Sequence, residues 1–148
     1  MWREALLLLA AAASPTGQTA VSDAALLRLL DRTVWIDIGL GRSFAKLTRG
    51  QIVELKRCKE PTMAFEKSSG VWTQSFYAGL EMRTVYSSAV LRSDALGKVV
   101  LFYTAGRGAP VETLHIAKTG DVLVEQTQGF RPRTFLKCTP QNDTQRKH

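Results

Sequence analysis

Only two cysteines occur in the 148-residue chain, and each closes a short basic segment: Cys58 ends "VELKRC" and Cys138 ends "TFLKC". Metal binding is a poor use for them. A structural zinc site takes about four clustered ligands, and the sequence adds only His115 and His148. In an exported chain two cysteines favour one disulfide; the alternative is a pair of buried free thiols. A Cys58–Cys138 bridge would enclose 79 residues, a loop whose closure is worth about 4 to 5 kcal/mol in the chain-entropy model.

His115 alternates with Leu114 and Ile116 in "VETLHIAK". A catalytic histidine needs a nucleophile or a carboxylate beside it. Ser43, Ser75, Ser87, Ser88, Glu54, Glu112 and Asp37 are present, but none lies in a nucleophile motif such as Gly-x-Ser-x-Gly. His115 therefore reads as a packed or half-exposed strand residue. The sequence assigns no catalytic residue, no metal and no cofactor, and a non-enzymatic protein is expected. Gly39-x-Gly41 would cradle phosphate only if a helix of a βαβ unit followed it. It reads instead as a loop at a barrel mouth, with Arg42 and Lys46 in solvent; the other reading is a lid with Phe44 as its apolar cover.

The net charge is +7, and removing residues 1–20 takes one Arg and one Glu and leaves it unchanged. Such a surface favours anionic partners such as glycolipid, phospholipid headgroups or acidic polysaccharide. Lys56, Arg57 and Lys59 flank Cys58, and Arg131, Arg133 and Lys137 precede Cys138, so a bridge would bring two basic groups together as a rim for anions. Aromatic residues are not interleaved with them as in RNA-binding surfaces, so nucleic acid is not an expected partner.

The elements that must carry these residues follow from period and punctuation. Residues 1–20 read as a signal peptide: Arg3 lies in the n-region, residues 5–13 form a short apolar run, and small polar residues follow. The run falls short of the roughly 20 residues that span a bilayer. Next, "VSDAALLRLLDRT" puts Leu26, Leu29 and Leu30 on one helical stripe behind a Ser22 cap, a helix suited to plugging one end of a sheet structure. From Trp35 the period becomes two. Strands are expected at "QIVELKRC", "TMAFEKS", "VWTQSFYAG", "LEMRTVYSSAVL", "KVVLFYTA", "VETLHIAK", "DVLVEQTQ" and "RTFLKC", with a tight Thr119-Gly120 hairpin turn between the sixth and seventh. Long crossovers are missing, so the sheet is antiparallel. Closing an up-and-down meander of about eight strands removes both edges. The expected fold is all-β with one short N-terminal helix: a closed barrel over residues 21–139, then a disordered tail over 140–148.

This pattern resembles the lipocalin-like superfamily of small barrels. The likeness runs from Trp35 to Cys138 and rests on strand count, short turns, a helix before an early tryptophan and a long-range cysteine pair. Where that superfamily has Gly-x-Trp, this chain reads Thr33-Val34-Trp35, and the resemblance makes Trp35 a barrel-floor residue. Trp72, Phe76, Met82, Tyr86 and Phe102 are the pocket candidates, able to line a cavity or fill a core. The functional expectation is an exported, periplasmic binding protein for a small amphipathic or anionic ligand, with peripheral membrane contact as an option. The alternative is a cell-envelope interaction module, an inhibitor or assembly factor. Bacterial lysozyme inhibitors are similar in outline, but a +7 surface opposes a basic target enzyme.

Overall fold

The computed structural model describes residues 19–20, 23–39, 42–78 and 80–139. Residues 1–18, within the expected signal peptide, the expected Ser22 cap and the expected tail over 140–148 lie outside the described residues. Ten antiparallel strands form one sheet: β1 (Thr19–Ala20), β2 (Thr33–Asp37), β3 (Met63–Ser68), β4 (Val71–Ala78), β5 (Leu80–Tyr86), β6 (Ser88–Ser93), β7 (Gly97–Tyr103), β8 (Glu112–Ala117), β9 (Val122–Thr127) and β10 (Arg133–Cys138). Two short α-helices accompany them among the described residues, α1 (Asp23–Leu30) and α2 (Arg49–Lys56). The strand order is β1-β6-β7-β8-β9-β10-β2-β3-β4-β5.

Strands β2 to β10 make a nearly closed nine-stranded barrel. The first and last of them are paired, Val34 with Cys138 and Asp37 with Phe135, so closure joins the early and late strands as expected. The remaining opening falls mid-chain, between β5 and β6, which Ser87 links but no ladder joins. β1 lies on the outer edge of β6, pairing Thr19 with Ser93.

One helix departs from the sequence reading. "QIVELKRC" is not a strand: residues 49–56 form α2, and Cys58 sits just beyond its end. The Ile52-Val53 pair favours extension, but Thr48 and Gln51 form a reciprocal capping box that starts a helix. Arg57 caps the other end, and Cys58 follows in a left-handed conformation, φ 56°. That position usually takes glycine. Here it carries the disulfide: Cys58 and Cys138 are bridged with their Cα atoms 5.2 Å apart. The bond ties the α2–β3 connection to the end of β10.

The barrel has a plugged end and an open end. Leu26 and Leu30 of α1 enter the core beside Trp35, Met63, Phe65, Trp72, Phe102, Leu114, Leu123 and Phe135, all buried. Trp35 is sealed there, its indole donating to Thr33 Oγ1 at 2.9 Å while that hydroxyl donates to the Leu30 carbonyl. Asp31 accepts from the Lys67 amide, placing the β3–β4 turn at the same end. Phe102 stacks on Tyr86 and Phe65 and meets Trp72 edge-on. The Thr119-Gly120 turn exists within a four-residue connection between β8 and β9, with Gly120 at φ 78°.

Candidate functional site

A cavity of about 530 Å³ occupies the open end. Phe76 and Met82 come from β4 and β5, where they are direct cross-strand partners. Thr104, Arg107 and Val111 come from the β7–β8 connection, and Thr127, Phe130, Arg131 and Arg133 from β9, the β9–β10 turn and β10. Its floor is polar: Gln74, Tyr86, Glu112 and Glu125 all line it, and all four are buried. Alternation puts them there. Gln74 lies between Trp72 and Phe76 on the inner face of β4, Glu112 precedes Leu114 on β8, and Glu125 follows Leu123 on β9.

The floor is one hydrogen-bonded cluster. The Gln74 amide donates to Glu112 Oε1 at 2.8 Å and to Glu125 Oε1 at 3.3 Å, and also lies 3.1 Å from Met63 Sδ. Its carbonyl accepts from the Tyr86 hydroxyl at 2.6 Å. Tyr86 Oη also contacts Glu112 Oε2 at very short range. A phenol has one proton to give. The Gln74 carbonyl and Glu112 Oε2 are both acceptors for that proton. Burial, then the neighbouring Glu125 carboxyl, push the Glu112 carboxyl up to about 8 against the weaker pull of Tyr86 and Gln74. Burial, followed by the Glu112 and Glu125 charges, also raises the Tyr86 phenol far above its ordinary value.

Glu125 is different. Its Oε1 is met by Gln74 and, at 3.4 Å, by Thr127, but its Oε2 is buried with no hydrogen-bond partner among the described residues. Arg133 is its direct neighbour across β9 and β10. The Arg133 guanidinium is engaged elsewhere, 3.2 Å from Asp37 Oδ2 and over the rings of Phe76 and Phe135. Arg107 and Arg131 make no ion pair among the described residues and stand at the cavity wall.

Of the five aromatic and sulfur-bearing pocket candidates, Phe76, Met82 and Tyr86 line the cavity; Trp72 and Phe102 pack in the core beneath it. The basic candidates divide. Arg131 and Arg133 are at the open end. Lys137 lies one residue from the disulfide, and Lys56, Arg57 and Lys59 sit on or beside the end of α2. Arg133 and Lys137 are four residues apart on β10, about 13 Å at strand rise. The bridge thus joins only part of the two groups, and carboxylates accompany that part: Lys56 pairs with Asp121, and Arg57 and Lys59 with Glu54. Phe44 does not line the cavity, whereas the exposed Phe130 does. His115 is exposed on the outer face of β8.

No family model, curated protein or solved structure matches this chain at a significant level. No group of three or more metal-ligating side chains occurs among the described residues. No described helix is long and apolar enough to cross a membrane.

Proposed function

We propose that the chain is a non-enzymatic binding protein that holds a small amphipathic ligand in the open end of a lipocalin-like barrel. The observation that supports this most is the cavity itself. Its volume of about 530 Å³ lies within the range of about 300 to 1,000 Å³ occupied by small-molecule sites. It joins apolar walls, Phe76, Met82 and Phe130, to a few convergent polar groups. The α1 plug fills the other end, so the open end is the mouth of the cavity. Arg107 and Arg131 suit an anionic end of the ligand left at the mouth. Export to the periplasm accords with the disulfide; the leader that would direct it is outside the described residues.

An amphipathic anionic dye, 8-anilinonaphthalene-1-sulfonate, tests the reading. It should bind the folded chain with enhanced fluorescence, and Thr84→Trp, which fills the cavity from its β5 wall, should weaken that binding at least tenfold with circular dichroism unchanged. Equal binding by the two proteins would remove the pocket as the site.

The interaction-module reading draws on a different observation. Among the described residues β5 pairs with β4 alone, and its Leu80, Met82 and Val85 are exposed. Apolar side chains on a free edge strand are a known site for strand addition by a partner. Lys substitution at Val85 abolishes any such association and leaves dye binding intact.

A further inference from the structure

We infer that the cavity selects ligands carrying an ammonium group, which Glu125 receives at the floor while the arginines hold an anionic end at the mouth. This rests on the pocket reading above and specifies its ligand as an amphipathic zwitterion.

Three observations carry it. Glu125 is buried, 5 % exposed, lines the cavity and presents an Oε2 atom with no partner among the described residues. A buried acceptor left without a partner is costly, and more so when the group is charged. That cost is recovered when a ligand brings a donor. Second, Glu112 is not an equivalent acceptor. Its Oε1 accepts from Gln74 and its Oε2 is committed to Tyr86, so the ring of three side chains is closed without a ligand. Third, the cation opposite it on β10 does not pair with Glu125, because Arg133 is held on Asp37 and over the rings of Phe76 and Phe135. The floor therefore offers one acceptor oxygen in a low-dielectric site, where a compact cation with several N–H donors interacts most strongly.

The mouth sets the other requirement. A simple alkylammonium ion must pass Arg107, Arg131 and Arg133, which repel it. A carboxylate or phosphate at the far end of an apolar chain turns that repulsion into attraction. A plain fatty acid satisfies the mouth but leaves Glu125 Oε2 unmet. Only the ligand with both ends satisfies both. No proton or bond is transferred in this recognition.

Isothermal titration of the full chain at pH 7 with 8-aminooctanoate, octanoate and octylamine tests the assignment. We expect 8-aminooctanoate to bind at least tenfold more tightly than either of the others. Glu125→Gln should bring 8-aminooctanoate and octanoate to within about twofold of each other. Glu112→Gln, which preserves the closed ring through its amide, should keep the preference. Octanoate binding as tightly as 8-aminooctanoate to the unmodified chain would overturn the inference, as would a preference that survives Glu125→Gln. If none of the three binds while the dye still does, the ammonium assignment fails and the pocket reading stands. If the dye is also insensitive to Thr84→Trp, both fail.

Discussion

Arg133 and Glu125 are paired in register across β10 and β9, yet the Arg133 guanidinium bonds to Asp37 on β2, 3.2 Å away. The side chain that could close off the buried carboxylate is thus turned to the opposite neighbouring strand. Asp37 keeps it there with help from two aromatic rings. Asp37→Asn removes the charge that holds Arg133 and frees the guanidinium for Glu125 Oε2. The expected outcome is a fall of about tenfold in 8-aminooctanoate affinity, with octanoate affinity unchanged or raised. The stability effect should be under about 1 kcal/mol, since the pair is part-exposed. Titration calorimetry and a melting curve on the same variant measure both.

The Glu112 carboxyl gives stability a pH dependence of defined sign. It is raised from an ordinary value of 4.5 to about 8 in the folded chain. Between those values the folded state holds a proton that the unfolded state has lost, so stability falls as pH rises through that window. The groups facing Glu112 are Gln74, Tyr86 and Glu125 at the floor, with Arg107, Arg131 and Arg133 further out at the wall. We expect the melting temperature to be highest near pH 5 and to decline toward pH 8.5. Glu112→Gln, whose amide carbonyl can still accept from Gln74 and whose amide nitrogen can donate to Tyr86, should flatten that decline and equal or exceed the unmodified chain at pH 8. Tyr86→Phe leaves Glu112 and the Gln74 carbonyl without their hydroxyl donor and should destabilise by about 1 to 3 kcal/mol at pH 5.

How far these features are visible in the residue string depends on what each requires. Barrel strands were legible because Trp72, Phe76, Tyr86 and Phe102 recur at period two and turns punctuate them. The α1 plug was legible from Leu26 and Leu30. Helix α2 was masked by Ile52-Val53, although Thr48-x-x-Gln51 was a readable start signal. Glu125 and Gln74 are hard to read for a related reason. Each sits in phase with apolar neighbours, Leu123 for one and Trp72 and Phe76 for the other, and a polar residue on an apolar face is the signal that could have exposed them. The convergence of β4, β5, β8 and β9 side chains on one floor depends on barrel closure, which no local pattern encodes. The division of the basic groups between two ends has the same origin: strand direction separates Arg133 from Lys137 although the sequence sets them close.

The disulfide should contribute substantially to stability. Closing a loop of sequence separation 80 corresponds to about 4.5 kcal/mol in the chain-entropy model. Cys58→Ser with Cys138→Ser should lose an amount of that order by urea unfolding. Cys58 also occupies a left-handed position, φ 56°, which costs a residue with a side chain about 1 to 2 kcal/mol. Cys58→Gly with Cys138→Ser should therefore be about 1 kcal/mol more stable than the double-serine chain. An equal loss in both would show that the backbone at residue 58 relaxes once the bridge is gone.

Gly97 at the start of β7 provides a sharper steric test. Its φ is 152°, and a β-carbon there would lie 2.2 Å from the Ile116 carbonyl oxygen on the neighbouring strand β8. The same residue completes the β6–β7 turn: Asp94 accepts from the Leu96 and Gly97 amides at 2.9 Å, and its own amide donates to the Gly97 carbonyl. A β-carbon at this position must therefore push β8 away or break the turn. Forcing extra atoms into a packed site costs about 1 to 3 kcal/mol, and the Gly97→Ala change should fall at the upper end, because the obstructing atom is backbone rather than a side chain that can rotate. Asp94→Ala, which removes the acceptor but leaves the close approach intact, should cost about 1 kcal/mol. Urea unfolding of the two variants orders them. An Asp94→Ala loss as large as that of Gly97→Ala would mean that the turn's hydrogen bonds, rather than the close approach of β7 to β8, set the need for glycine at residue 97.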